Sequence, residues 1–431
     1  MRHIDMEGIC HIYRNNCEES LVIVVRLMLK EKVDYKSMQK ALIKAADRYP
    51  NFHSVIASRG TGLFYEDNEE KPVLMTEDKP YRLGSKELNY YPYSVCALDR
   101  QLKITAHHGL TDGYGMMEFI KTLLYYYYTE LGISIEDSEL IRTNEKPYDI
   151  DAETEDSLLK YWDKDFVPKQ PELGDTPLFS IPTMYWDDNG DYVYKRYKLR
   201  MSVSQIIDMA KSTSSSVTGV LNALINKAYQ SAYELDGKVL ISAITSNFRR
   251  IYPSDSLHNF SGWFLTFYPP VMHGMSLEEL SPAMKGLIDA NNSKENVMKV
   301  TAERCIAGTE ISENSISKIF EPKDEVLKQK AASRNSVGYL ITNVGPFAFP
   351  KEIEDMIEDC ELYFPAKTVP VVFGVNSIKD ALVLSVNMSF DGDSLVKGIC
   401  KVCKENNIDV TCQDMGIEET DKLCEDGIRM R

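Results

Sequence analysis

A chain of 431 residues is too long for one ordinary hydrophobic core, so two domains are expected. With 43% hydrophobic and 26% charged residues and no low-complexity tract, its composition is globular rather than disordered or fibrous. The formal net charge of -16 and the lack of a basic run argue against nucleic acid, and they require any polyanionic cosubstrate to meet a local cluster of Lys or Arg. Met1 is followed by polar residues without an apolar h-region, and the longest apolar run, 21–29, is interrupted by Arg26. Neither a signal peptide nor a membrane span is expected. The nine cysteines are an odd number and scattered, which reads as reduced thiols. The expectation is a soluble, cytoplasmic monomer.

Residues 21–30 read as a buried strand, followed by an amphipathic helix over 35–49 that Pro50 ends. Short strands are expected around 53–58, 62–66 and 90–98. A further strand at 102–105 runs into His107-His108-Gly109-Leu110-Thr111-Asp112-Gly113. A strong helix is expected over 115–131, and another over 157–166. Four prolines between 168 and 182 mark the candidate boundary. The alternation then restarts with a strand at 192–199, helices at 202–212 and 216–233, and a strand at 239–245. A long helix is expected over roughly 282–307, with Ser281 as N-cap and Pro282 in the first helical position. Strands at 337–342, 369–376 and 381–390 precede a last helix at 393–405. Strands and helices alternate in both halves, so the class is α/β or α+β.

The seven-residue stretch 107–113 carries the chemistry. By strand parity, His108 shares a face with Leu102, Ile104 and Ala106 and points inward, while His107 points toward a more polar side with Lys103 and Thr105. An inward histidine suits removal of a proton from an alcohol, amine or thiol. Asp112 is placed to orient the turn or the imidazole, and Gly109 and Gly113 to allow close approach or positive φ. Adjacent histidines on a strand face opposite ways, and no acid-rich cluster completes a coordination shell, so no metal is expected.

On these residues the chain resembles the chloramphenicol acetyltransferase-like superfamily, whose signature is HHxxxDG. That group includes condensation domains of nonribosomal peptide synthetases, alcohol acetyltransferases and plant acyl-CoA acyltransferases. The helix ending in Asp47-Arg48-Tyr49-Pro50, the block 246–264 (SNFRRIYPSDSLHNFSGWF), the block 339–347 (YLITNVGPF) and the closing SFDG also look like two-domain members. The resemblance covers approximately residues 1–410. It implies two such domains, 1–172 and 173–431, each a mixed sheet covered by helices, with an active-site tunnel between them.

It also implies that His108 is the general base of acyl transfer from a thioester, with acyl-CoA as cosubstrate, to the hydroxyl or amine of a small-molecule acceptor. His107 would have a minor role. Asp112 would pair with an arginine and hold the turn, and Gly113 would keep the tunnel mouth open. His53 stands where condensation domains carry that arginine, which leaves Arg14, Arg26, Arg48 and Arg249 as candidates. The DFGWG motif of the plant branch is absent.

Arg249 and Arg250 are candidates for contact with cosubstrate phosphates, Arg249 alternatively for Asp112. Thr342 and Asn343, and equally Ser246 and Asn247, are candidate oxyanion donors or ordinary strand-end caps. The stretch 390–395 (FDGDSL) superficially resembles a phosphopantetheine-attachment sequence, but a strand precedes it, so Asp393 or Ser394 is read as a helix N-cap. Cys400 and Cys403 form a CxxC with Cys412 and Cys424 beyond, read as ordinary thiols rather than a zinc site. The tyrosines at 125–128 surround a helix and are read as packing. Two alternatives remain: a stand-alone condensation enzyme taking its donor from a carrier protein, and a non-catalytic scaffold with this fold.

Overall fold

The computed structural model describes residues 1–14, 21–59, 62–136, 141–166, 177–181, 193–312, 337–366, 369–423 and 427–430. The expected boundary at 172/173, most of the Pro-rich stretch, Cys17, Cys424 and the side chain of Arg14 lie outside the described residues.

Two sheets dominate. The first runs, in spatial order, through strands Ile357–Tyr363, Val22–Leu29, Gln101–His107, Tyr93–Leu98 and Leu74–Met75, antiparallel except for the last pair. The second runs through Ser261–Tyr268, Leu240–Asn247, Val337–Pro346, Val371–Ile378, Ala381–Met388, Val193–Ser202 and Val410–Glu419. The two pairs on either side of Val337–Pro346 are parallel and the rest antiparallel. Each sheet has its own large apolar core. The architecture is mixed α/β, with both sheets covered by helices.

Three helices position the site: α1 (Met6–Arg14), α2 (Tyr35–Arg48) and α3 (Gly113–Glu130). Asp112 is the N-cap of α3, which therefore starts two residues before the expected position. Met116, Phe119, Ile120, Leu123, Leu124 and Tyr127 recur at helical spacing and are buried against α2. Gly132, at φ +81°, takes the left-handed conformation just past the helix end. Tyr126, Tyr127 and Tyr128 are buried in this core, so three of the four tyrosines in the run pack as expected.

One strand crosses between the halves. Ile357–Tyr363 pairs with Val22–Leu29, with Leu362 opposite Val25. Asn376 pins it from the second sheet, accepting Leu362 N–H at 3.0 Å and donating to Cys360 O at 3.0 Å. Arg196, fully buried in the second sheet, reaches Glu361 at 2.6 Å and Glu418 at 2.6 Å, with its guanidinium 3.5 Å from the Tyr363 ring centroid.

The single long helix expected over 282–307 is instead two, Leu277–Asn291 and Lys294–Ser312. The N-cap is Ser276 rather than Ser281, with a reciprocal capping box to Glu279. Pro282 therefore lies inside the helix, where the Ser281 hydroxyl donates to Leu277 O at 2.7 Å. The helix expected over 157–166 is only Ser157–Tyr161.

Candidate active site

The strand Gln101–His107 and helix α3 are joined by a turn in which the backbone polar groups of residues 107–110 are all committed. His107 N–H donates to Pro92 O at 2.9 Å and His108 N–H to Leu21 O at 2.7 Å. Gly109 N–H donates to His107 Nδ1 at 3.0 Å, and Leu110 N–H to His107 O at 2.9 Å. The carbonyls of Gly109 and Leu110 accept from Tyr65 Oη and Asn51 Nδ2. A backbone satisfied this completely holds one geometry without further cost.

His107 shares a strand face with Lys103 and Thr105, as parity suggested, but that face is buried. His107 is fully buried, with its Nδ1 serving the turn, and burial followed by the charge of His108 pulls its pKa down to about 3. Both strand faces are covered. Lys103 is buried and paired with Asp78 at 2.8 Å, and Ser94 on the neighbouring strand donates to buried Asp421 at 3.0 Å. His108, the first residue beyond the strand, is half-buried and faces a cavity.

That cavity has a volume of about 680 Å³ and takes its walls from both halves of the chain, among them His11, Gly113, Met117, Trp263, Thr342 and Phe364. Phe364 follows the crossing strand, and its ring centroid lies 6.5 Å from that of His108. His11, from α1, lies closer, with ring centroids 4.3 Å apart at 33°. Its Nε2 is 3.4 Å from Glu7 Oε1, and Arg304 Nε approaches Glu7 Oε2 at 3.1 Å.

His108 Nδ1 lies 3.0 Å from Asn259 Oδ1, and no partner for Nε2 occurs among the described residues. Sequence reasoning missed Asn259, His11 and Glu7. Glu7 and His11 at i,i+4 on a short amphipathic segment were the available signal for α1.

The Asp112 carboxylate is committed on both oxygens. Its Oδ1 accepts Tyr114 N–H at 3.0 Å and Gly115 N–H at 3.2 Å, capping α3. Its Oδ2 accepts Arg249 Nη1 at 2.7 Å and Phe260 N–H at 3.0 Å. Arg249 also donates to Ser256 O and His258 O, at 2.8 and 2.7 Å through Nη2, and stacks 4.6 Å from the Tyr114 ring centroid. Its side chain is 7% exposed and does not line the cavity, so of its two expected contacts it makes the one with Asp112 rather than one with a phosphate. Arg48 pairs with Glu153 at 2.7 Å, and Arg26 with Glu418 at 3.1 Å. Arg250 is exposed at the cavity with no ion pair among the described residues.

Of the candidate oxyanion donors, Ser246 donates to Asn292 at 2.6 Å, Asn343 donates to Thr218 at 3.1 Å, and Asn247 accepts from Arg249. Thr342 lines the cavity, and its hydroxyl has no partner among the described residues. Gly109 and Gly113 both have negative φ, so close approach is what they allow. A Cβ at Gly113 would lie 3.1 Å from Val344 Cγ1. Among the described residues, no three His, Cys, Asp or Glu side chains converge as metal ligands, and Cys400, Cys403 and Cys412 are free thiols.

No protein-family model and no curated protein matches the sequence. Solved structures match the fold. TRI101 of F. graminearum, solved with coenzyme A and T-2 mycotoxin, matches at 10% identity and a TM-score of 0.61, over 95% of this chain and 99% of that one. TRI3 trichothecene 15-O-acetyltransferase of Fusarium sporotrichioides matches at 12% and 0.58, over 94% of each. Polyketide synthase associated protein 5 of Mycobacterium tuberculosis matches at 12% and 0.59, over 94% and 98%. The fold is the chloramphenicol acetyltransferase-like one. The same fold occupies 42% of the nonribosomal peptide synthetase FmoA3, where 94% of this chain aligns at a TM-score of 0.61.

Proposed function

We propose that this protein is an acyltransferase that moves an acyl group from a thioester, with acyl-CoA as donor, to the hydroxyl or amine of a small acceptor. The observation that carries the reading is the His108 imidazole. One ring nitrogen is engaged by Asn259, and the ring lines a cavity of about 680 Å³ that reaches both halves. His108 Nε2 takes the proton from the acceptor as its oxygen or nitrogen attacks the thioester carbonyl. The carbonyl oxygen becomes an oxyanion, for which Thr342 is the assigned donor. Collapse re-forms the carbonyl and breaks the C–S bond, and the imidazolium returns its proton to the departing thiolate. Asp112 and Arg249 take no part in proton transfer and hold the turn that carries His108. Arg250 is the assigned contact for donor phosphate.

TRI101 solved with coenzyme A and an O-acetyltransferase of the same fold support a CoA donor and a hydroxyl acceptor. The synthetase match supports the second reading, a carrier-protein donor, which the net charge of -16 disfavours for an acidic carrier. The test is incubation with a panel of acyl-CoAs and alcohol or amine acceptors, following free thiol. Release that falls at least ~10²-fold in His108→Ala supports the reading, within the usual contribution of general-base catalysis. Release equal in wild type and His108→Ala overturns it.

A further inference from the structure

Asn259 sits directly behind His108 and is 1% exposed. Its Nδ2 donates to His108 O at 3.0 Å and lies 3.4 Å from Asp5 Oδ2. Asp5 is fixed in turn, with Oδ1 accepting Gly8 N–H at 2.8 Å and Oδ2 lying 3.5 Å from His258 Nδ1. Both neighbours of Nδ2 are oxygens, so turning the amide over would set Oδ1 against two acceptors. The Asn259 carbonyl therefore faces His108 Nδ1 at 3.0 Å and can only accept there. The proton of a neutral His108 must then reside on Nδ1, leaving the lone pair on Nε2.

We infer that Asn259 is a positioning residue, which fixes the His108 tautomer so that Nε2 is the basic atom presented to the cavity. The catalytic part of this inference rests on the acyl-transfer reading, whereas the tautomer itself does not. A histidine side chain free in water prefers its proton on Nε2, which would leave His108 unable to take the acceptor's proton from that side. Losing the Nδ1–H to Asn259 bond in a buried setting shifts the tautomer ratio by about tenfold or more. The titratable groups around His108 are His11 and Glu7 from α1, His258 and Asp5 behind Asn259, and His107 and Asp112 on its own turn. None of these is hydrogen-bonded to Nδ1, so the duty falls on a neutral amide.

The experiment is long-range ¹H–¹⁵N correlation on protein labelled with ¹⁵N-histidine at neutral pH, with His108 assigned from His108→Ala. In the wild type the expected result is a protonated Nδ1 and an unprotonated Nε2. Asn259→Leu, similar in size but with no acceptor, is expected to shift His108 toward the Nε2–H form and to lower kcat about tenfold, in step with the tautomer ratio, with KM nearly unchanged. Asn259→Asp keeps an acceptor and is expected to retain the wild-type tautomer.

A wild-type His108 protonated on Nε2 overturns the inference, even if neither variant folds. A tautomer unmoved in folded Asn259→Leu also overturns it, since a merely structural residue would behave that way, and so does an unchanged kcat beside a moved tautomer. If the tautomer moves as expected yet no thioester is ever consumed, the assignment of Asn259 stands and the acyl-transfer reading fails.

Discussion

His107→Asn should remove one component of the protein's acid sensitivity. His107 is fully buried, its Nδ1 accepts Gly109 N–H at 3.0 Å, and its Nε2 has no acceptor among the described residues. An asparagine Oδ1 reaches the position of Nδ1, so the turn keeps its acceptor while the ionisable ring is lost. In the folded protein burial holds the pKa down to about 3, against about 6.5 in the unfolded chain. Between those two values only the unfolded chain binds a proton at this residue, so lowering the pH through that window favours unfolding. The stability is fully present above about pH 6.5, and at pH 4.5 it has declined by about 3 kcal/mol, two pH units at about 1.4 kcal/mol each.

At pH 7.5 the variant should be less stable by about 1–3 kcal/mol because the smaller side chain leaves space behind. On acidification to pH 4.5 it should lose about 3 kcal/mol less than the wild type. Urea unfolding of both proteins at the two pH values, followed by circular dichroism and tryptophan fluorescence, measures this. Every other titrating group is common to both proteins and cancels in the difference. An identical pH dependence would refute the argument that His107 is held neutral by burial.

Arg249→Ala should destabilise by about 3–5 kcal/mol in the same assay, the usual loss when one partner of a buried pair is removed. Arg249→Lys should recover less than half of that, because one ammonium cannot reach Asp112, Ser256 O and His258 O together. Gly115→Ala should be worse tolerated than Gly113→Ala. A Cβ at 115 meets the Leu257 carbonyl oxygen at 2.3 Å, backbone that cannot swing aside, whereas at 113 it meets a valine methyl at 3.1 Å. Thermal melts should rank them so, with Gly113→Ala folded and raising KM for the bulkier acyl donors.

What the sequence made legible was local. A strand, a seven-residue turn and a capped helix announce themselves by alternation, glycine and helical periodicity, and Arg249 could be named as one partner for Asp112 among four. The contacts that finish the site come from far along the chain and carry no periodic signal. Asn259 is one polar residue in an irregular segment. The crossing strand Ile357–Tyr363 breaks alternation because Glu361 is buried to meet Arg196. Val410–Glu419 is a largely exposed edge strand of mostly polar residues, with no apolar face to read. Parity put His107 on the face of Lys103 and Thr105 but said nothing of its burial, and Lys103 paired beside Asp78 makes that face dry.

The crossing strand also has a consequence for how the protein is made. The apolar segment Val22–Leu29 obtains one of its two neighbours only when Ile357–Tyr363 arrives, more than three hundred residues later. During synthesis it therefore waits with an open, hydrogen-bonding flank, the kind of surface that recruits other chains. A fragment ending near residue 172 would keep that flank permanently and should aggregate. Supplying the remainder of the protein as a second polypeptide during refolding should restore solubility.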